Sequence, residues 1–154
     1  AKECRKNKKR VKFIATETRP YLQGARLTAW ELRRAGFPVR LITDNAAGYC
    51  MAAGLVDKVI VGADRYCADG AIVNKIGTYQ IAILAKRHGI PFYVLAQKEP
   101  HPVKSAEIKI EQRPAKELLY FAGKRIAAKD VKAYYPAFDI TPAQLITKII
   151  DLEV

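Results

Sequence analysis

The sequence predicts an α/β fold with a mainly parallel sheet and helices on both of its faces. Short β-branched runs, typical of buried strands, alternate with longer segments in which apolar residues recur at helical spacing. This alternation occurs four times between residues 11 and 96, with short connections. Parallel strands joined by helices are the economical arrangement for such a pattern.

The first two strand–helix pairs occupy residues 11–54. Residues 11–16 predict a strand, and a helix follows Gly24 and runs to about residue 35, with Gly36 in the position that ends a helix. Residues 38–42 predict the second strand. Asp44 or Asn45 is expected to cap a short helix after it.

The stretch from residue 57 to residue 79 organises the rest of the chain. The run 59–61 predicts a buried strand, and Gly62 breaks it just before Asp64. A polar loop follows, and then a predicted helix begins with Asn74 and Lys75 in or near its first turn and ends near residue 88. Apolar residues within it, among them Ile72 and Ile83, form a stripe at helical spacing.

Beyond a fourth predicted strand at residues 91–96, the pattern becomes less regular. We expect a short edge strand at 108–111, a helical turn or two within 113–128 and a strand at 131–135. Residues 141–144 read as a capping box with proline at the first helical position, which predicts a C-terminal helix carrying apolar residues toward the core.

Composition and charge limit the partners that the protein is expected to have. The 27 basic and 15 acidic residues give a net charge of +12, which favours an anionic partner, either small or polymeric. The basic run at residues 2–10 is a nucleic-acid arm, the exposed face of a helix that leads into the first strand, or a ragged end. We favour the helix face or the ragged end over a nucleic-acid arm, because the run lacks the interleaved aromatic residues of single-strand binders. No apolar run approaches the ~20 residues of a membrane span, so no membrane partner is expected.

Cysteine and histidine residues suggest neither a disulfide framework nor a metal site. The three cysteines are odd in number and scattered, which favours a reducing, cytoplasmic location. No pair of cysteines or histidines has metal-ligand spacing, and neither a GxGxxG nor a P-loop pattern occurs. We therefore expect no metal and no cofactor.

Polar residues follow three predicted strands and should meet at one sheet edge, where α/β proteins bind ligands. Asp64 is the candidate general base. Asn74 and Lys75, at a predicted helix N-terminus, would suit phosphate, although Asn74 could be a cap and Lys75 a solvated first-turn residue. Gln23 could be loop surface or a ligand contact. Cys67 could be a nucleophile, but a buried thiol is favoured because nothing in the sequence indicates a lowered pKa.

The remaining polar residues at this edge have two readings each. Arg19 could contact a ligand or could pair with Asp44 or Asp64 to hold the loops together. For Asn45, helix capping is favoured over ligand contact.

Three segments carry a family resemblance: GADR at 62–65, NKIGTY at 74–79 and PAFDITP at 136–142. In this order they resemble the C-terminal domain of methylthioribose-1-phosphate isomerases. That family also includes ribose-1,5-bisphosphate isomerases and the alpha, beta and delta subunits of eukaryotic translation initiation factor 2B. The resemblance implies a single Rossmann-like three-layer domain over residues 1–154, without the N-terminal helical domain of the family.

The resemblance also implies an activity and roles for residues. The activity is the aldose–ketose isomerisation of 5-methylthioribose 1-phosphate to 5-methylthioribulose 1-phosphate in methionine salvage, by a cytoplasmic homodimer. Asp64 would be the proton donor or base, and Gln23, Asn74 and Lys75 would contact the substrate.

The family's catalytic cysteine precedes the first strand, and neither Cys4 nor Cys67 matches its position. The resemblance therefore implies an incomplete site that needs an upstream N-terminal segment of the same protein, and a chain that is catalytically silent alone. The alternatives are a regulatory or ligand-binding module related to the initiation-factor subunits, a ribose-1,5-bisphosphate isomerase, or a basic nucleic-acid-binding domain.

Overall fold

The computed structural model describes residues 6–97 and 99–151, so Cys4 and part of the basic run lie outside the described residues. The chain divides into two compact units, Ala1–Cys50 and Met51–Val154. A mixed α/β architecture with parallel strands and helices is confirmed. The expectation that residues 1–154 form one Rossmann-like domain stays a prediction.

The first unit contains a two-stranded parallel sheet. Strand β1 (Phe13–Thr16) pairs with β2 (Val39–Ile42), and Phe13 lies opposite Val39. A π-helical turn (Gly24–Thr28) leads into helix α1 (Ala29–Arg34). The left-handed conformation of Gly36, at φ 78°, lets the chain leave this helix toward β2, as predicted.

A 3₁₀ turn (Asp44–Ala46) and helix α2 (Ala47–Ala52) follow β2. The prediction that Asp44 or Asn45 caps this helix is wrong. The Asp44 carboxylate instead accepts hydrogen bonds from the backbone N–H groups of Thr18 (2.7 Å) and Arg19 (2.6 Å). Asn45 accepts a hydrogen bond from the hydroxyl of Thr43. Asp44 therefore fixes the loop that follows β1.

The second unit is built on a three-stranded parallel sheet with β6 in its centre. Strand β3 (Val59–Gly62) and strand β10 (Lys148–Asp151) flank β6 (Phe92–Ala96). Helix α3 (Thr78–Arg87) supplies Ala82 and Ala85 to the core beneath this sheet. Phe92 and Val94 are fully buried there, which explains why this strand reads as a continuous apolar run.

A three-stranded antiparallel sheet completes the framework around the site. Its order is β4 (Arg65–Tyr66), β5 (Ile72–Lys75) and β9 (Phe138–Thr141). One face of β5 contributes Ile72 to the main core. The other contributes Val73 to a second apolar cluster with Phe138 and Ile140.

The antiparallel sheet corrects the prediction of a helix beginning at Asn74 and Lys75. These residues end β5, and the helix begins three residues later, so Ile72 does not belong to the helical stripe. The sequence signal that was missed is Asp69-Gly70. An Asp-Gly pair between apolar runs is a hairpin signature, and Gly70 takes φ 78° in this turn.

The prediction of a C-terminal helix is also wrong. Thr141 ends β9, and only a 3₁₀ turn (Ala143–Leu145) follows before β10. Leu145, Ile146 and Ile149 pack against the core, as expected, although Ile149 does so from a strand that pairs with β6. Ile150, which was also expected to face the core, is exposed.

Residues 108–111 and 131–135 form no strand, contrary to expectation. The region between them contains helix α4 (Ala115–Leu119), which agrees with the predicted helical turn. A small hairpin of β7 (Tyr120–Phe121) and β8 (Lys124–Arg125) follows it. No helix within residues 6–97 and 99–151 has the length and hydrophobicity needed to cross a membrane.

Candidate active site

Asp64 lies where the sequence placed it, two residues beyond the carboxyl end of β3. Its side chain is exposed, and its backbone N–H donates to the carbonyl oxygen of Val73 at 2.9 Å. This bond begins the β4–β5 pairing, in which Arg65 lies opposite Val73. Continuing that register by one step brings Asp64 beside Asn74 on the neighbouring strand. The candidate base therefore sits at a rigid junction between two sheets.

Asn74 and Lys75 leave β5 from opposite faces because successive residues of a strand alternate. The sequence had placed both in a helical turn facing one site. Asn74 points to the beginning of α3, where its amide donates to the hydroxyl of Thr78 at 3.0 Å. Lys75 points the other way, and its ammonium nitrogen lies 4.2 Å from the ring centroid of Phe138.

A shallow cleft of about 240 Å³ opens on the face of the sheet that carries Lys75 and Phe138. Asp64, Val73 and Phe138 line it on the sheet side, and the segment 108–111 lines it opposite. Arg65 and Lys109 also line the cleft, as does the acidic Glu111, so the lining contains two basic and two acidic residues. The lining therefore offers basic groups to an anionic ligand and acidic groups that can exchange a proton.

Asp139 is the residue at this site that sequence reasoning missed. It lies on β9 directly opposite Asn74. Its two carboxylate oxygens accept hydrogen bonds from the backbone N–H groups of Gly77 (2.7 Å) and Tyr79 (3.0 Å). Burial raises the pKa of Asp139, and these two hydrogen bonds oppose that rise.

The beginning of α3 is consequently occupied by a protein carboxylate. The sequence had predicted that this helix N-terminus, together with Lys75, would hold phosphate. Two amides there already bond to Asp139. The expectation of phosphate on these two amides is therefore wrong, whereas Lys75, on the other face of β5, stays a candidate contact for an anion.

Gln23 belongs to the first unit, at the start of the π-helical turn. Its side-chain oxygen is buried and has no hydrogen-bond partner among the described residues. The next residue, Gly24, lies so close to β1 that an added Cβ would stand 1.9 Å from the carbonyl oxygen of Thr16. A buried amide oxygen without a partner is costly, and functional sites tolerate such a cost. The convergence of Gln23 with Asp64 stays a prediction.

Two other sequence candidates have structural roles. Cys67 is 1% exposed, and burial, followed by the nearby charges of Asp69 and Glu99, raises the pKa of its thiol. A protonated, enclosed thiol is a poor nucleophile, which agrees with the favoured reading. Arg19 contacts Asp44 through its backbone N–H, while its guanidinium donates to the carbonyl oxygen of Pro20.

The described residues contain no group of three or more His, Cys, Asp or Glu side chains arranged to hold a metal ion.

Comparison with known protein families shows to which family the chain belongs. The model of the Initiation factor 2 subunit family matches residues 1–151. The chain belongs to this family.

Within the Initiation factor 2 subunit family, the sequence is similar to proteins named as isomerases. It is 56% identical over 145 residues to methylthioribose-1-phosphate isomerase of Fervidobacterium nodosum, a match that covers 92% of this chain and 41% of that protein. The resemblance read from the three sequence motifs is thereby confirmed. The chain spans less than half the length of the curated relatives it matches.

Solved structures of the same family share the fold. The 5-methylthioribose 1-phosphate isomerase of Pyrococcus horikoshii matches with a TM-score of 0.88 and 47% identity, over 97% of this chain and 42% of that one. The delta subunit of translation initiation factor eIF-2B from A. fulgidus matches with a TM-score of 0.89 and 45% identity, over 97% and 44%. Backbone similarity therefore does not separate an enzyme from an initiation-factor subunit.

Proposed function

We propose that this chain is the Rossmann-like catalytic part of a sugar-phosphate isomerase that converts 5-methylthioribose 1-phosphate to 5-methylthioribulose 1-phosphate in methionine salvage. The observation that carries the proposal is the 56% identity, over 92% of the chain, to a protein of that name. The location of Asp64 just beyond the end of β3, in the lining of a cleft that also contains Arg65 and Lys109, supports it.

The chemistry of this reaction suits the side chains at the cleft. The anomeric oxygen of the aldose carries phosphate, so the ring does not open as a free sugar does. A proton must reach the ring oxygen as the ring opens, and a hydrogen must then move from C2 to C1 to give the ketose. Asp64 would donate or accept the proton in this sequence because it is an acidic residue in the lining of the cleft.

Substrate contacts are assigned to Gln23, Asn74 and Lys75. The ammonium of Lys75, on the cleft side of β5, would pair with the substrate phosphate. The buried oxygen of Gln23 would accept a hydrogen bond from a sugar hydroxyl. Asn74 lies in line with Asp64 across the β4–β5 pair and would orient the sugar from the neighbouring strand. Fixed positions for these groups would contribute by aligning the reacting carbons.

A second part of the same protein completes the site in this proposal. The matched isomerase is more than twice as long as the aligned segment, since the match covers 41% of it. The resemblance implies that an upstream segment supplies a cysteine partner for Asp64 and further phosphate contacts. The complete enzyme would act in the cytoplasm as a homodimer.

A regulatory, ligand-binding module is the second candidate because of the TM-score of 0.89 to an initiation-factor subunit. Such a module would bind a phosphorylated ligand without converting it. Asp64 favours the enzyme, since a module that only binds an anion has no need of a carboxylate at the cleft.

The test is to incubate the full-length protein with 5-methylthioribose 1-phosphate and follow the phosphorus NMR spectrum. Conversion of the anomeric phosphate signal into that of a primary phosphate ester is the expected result. Ribose 1,5-bisphosphate serves as the competing substrate, and faster conversion of it would move the assignment to the other isomerase. Binding of the substrate without any turnover would overturn the enzyme proposal in favour of the regulatory module.

A further inference from the structure

We propose that Asp139 is a positioning residue for the substrate contacts Asn74 and Lys75, which it holds through the backbone of residues 77–79. The inference rests on the proposed isomerase function. It assigns a task to a carboxylate that the proton-transfer chemistry at Asp64 does not use.

The hydrogen bonds of Asp139 enclose the segment that carries Thr78. One carboxylate oxygen accepts from the N–H of Gly77, and the other accepts from the N–H of Tyr79. Thr78 lies between them, 5% exposed, so both of its neighbours are tied to β9. A single carboxylate therefore fixes the height and rotation of the first turn of α3 against the antiparallel sheet.

Thr78 connects this restrained segment to the two proposed substrate contacts by hydrogen bonds. Its hydroxyl accepts a hydrogen bond from the Asn74 amide at 3.0 Å and donates to the carbonyl oxygen of Lys75 at 2.7 Å. The Asn74 side chain is thus oriented by a hydroxyl whose position depends on Asp139. The backbone of Lys75 is held from the same point, while its side chain stays on the cleft face.

The free-energy cost of desolvating the Asp139 carboxylate supports a role for this residue beyond capping the helix. Asp139 is half-buried, and its hydrogen-bond partners are two backbone N–H groups. A local Ser, Thr or Asn would cap a helix without desolvating a carboxylate. Only a residue on β9, opposite Asn74, ties the helix, β5 and β9 together at one point.

The experiment is a double-mutant cycle in the full-length enzyme with 5-methylthioribose 1-phosphate as substrate. The variants are Asp139→Asn, Asn74→Ala and the two combined. Thr141→Val is the matched control, because Thr141 lies two residues away on the same strand and its buried hydroxyl bonds to none of these groups. Thermal unfolding of each variant is measured in parallel.

We expect Asp139→Asn to raise KM about tenfold with a smaller change in kcat, since one or two hydrogen bonds that orient a substrate contact are lost. In the Asn74→Ala background the same change should alter KM by less than about twofold, because its route of action is gone. Thr141→Val should leave both constants within about twofold. If Asp139→Asn does not fold, Asp139→Glu, which keeps the charge and displaces it, takes its place in the cycle.

Four results separate the possibilities. Equal effects of Asp139→Asn in the wild-type and Asn74→Ala backgrounds would overturn the positioning role, as would kinetics that match the Thr141→Val control. A wild-type enzyme that neither binds nor converts the substrate would overturn the proposed function, and the positioning role would fall with it. A KM effect that disappears in the Asn74→Ala background supports the inference.

Discussion

Replacement of Asp139 by alanine should destabilise the 154-residue chain by about 2 kcal/mol at neutral pH. Two N–H groups in the first turn of α3 lose their acceptor. A hydrogen bond to a charged group contributes about 1.5–3 kcal/mol. The bond from Gly77 is partly buried and retains most of that value. The bond from Tyr79 is exposed, so water replaces the lost oxygen there at little cost.

For a chain of this length, about 2 kcal/mol corresponds to a Tm lower by roughly 4–8 °C. Thermal unfolding followed by circular dichroism measures the change directly. Thr141→Val, on the same strand, should show no such loss. A Tm for Asp139→Ala within about 1 °C of the wild type would refute the claim that this carboxylate holds the helix.

The same residue gives a signed dependence on pH. Burial raises the pKa of Asp139 in the folded chain above its unfolded value, so the folded state binds the proton more tightly. Relative to Asp139→Asn, which does not titrate, the wild type should gain stability as pH falls through the raised pKa. The gain should level off below the unfolded pKa. A difference in Tm between the wild type and Asp139→Asn that becomes smaller as the pH falls would contradict this sign.

Three further predictions concern stability, completeness and charge. Thr141→Val should stabilise the chain by about 1 kcal/mol in urea unfolding. The substitution removes a fully buried hydroxyl that has no partner among the described residues. A loss of stability would show that the hydroxyl is bonded. In the proposed enzyme an upstream segment supplies a cooperating acid–base group. The 154-residue chain alone should therefore fold but convert 5-methylthioribose 1-phosphate at least ~10²-fold more slowly than the full-length protein. Equal rates would make that segment dispensable. In the full-length protein, Lys75→Ala should raise KM about tenfold or more through loss of a phosphate contact. The control Lys58→Ala, which changes an exposed lysine just before β3, should leave KM within about twofold of the wild-type value. Equal effects of the two substitutions would remove Lys75 from the site.

Strands with strong local signals could be predicted from the sequence. The four runs that became β1, β2, β3 and β6 are mainly apolar and bounded by turn residues, and each begins and ends within two residues of the expected position. Asp64 could be placed for the same reason, because its location depends only on the end of β3. The parallel pairing followed from the alternation with helices.

The errors fall where distant pairing overrides local pattern. Residues 72–75 pair with residues 138–141, more than sixty positions away, and this pairing makes a strand of a segment that reads locally as a helix start. The capping-box pattern at Thr141 likewise gives way to pairing of β10 with β6. Asp139 was missed because its hydrogen-bond partners, Gly77 and Tyr79, become neighbours only through that fold.

Replacement of Asp64 by asparagine in the full-length protein is the most direct test of the proposed catalysis. Asp57→Asn is the control, since it makes the same change of charge at an exposed site just before the amino end of β3. With 5-methylthioribose 1-phosphate as substrate, Asp64→Asn should lower kcat by ~10²–10⁴ with an unchanged Tm, and Asp57→Asn should leave kcat near the wild-type value. Near-normal turnover by a folded Asp64→Asn variant would contradict the account.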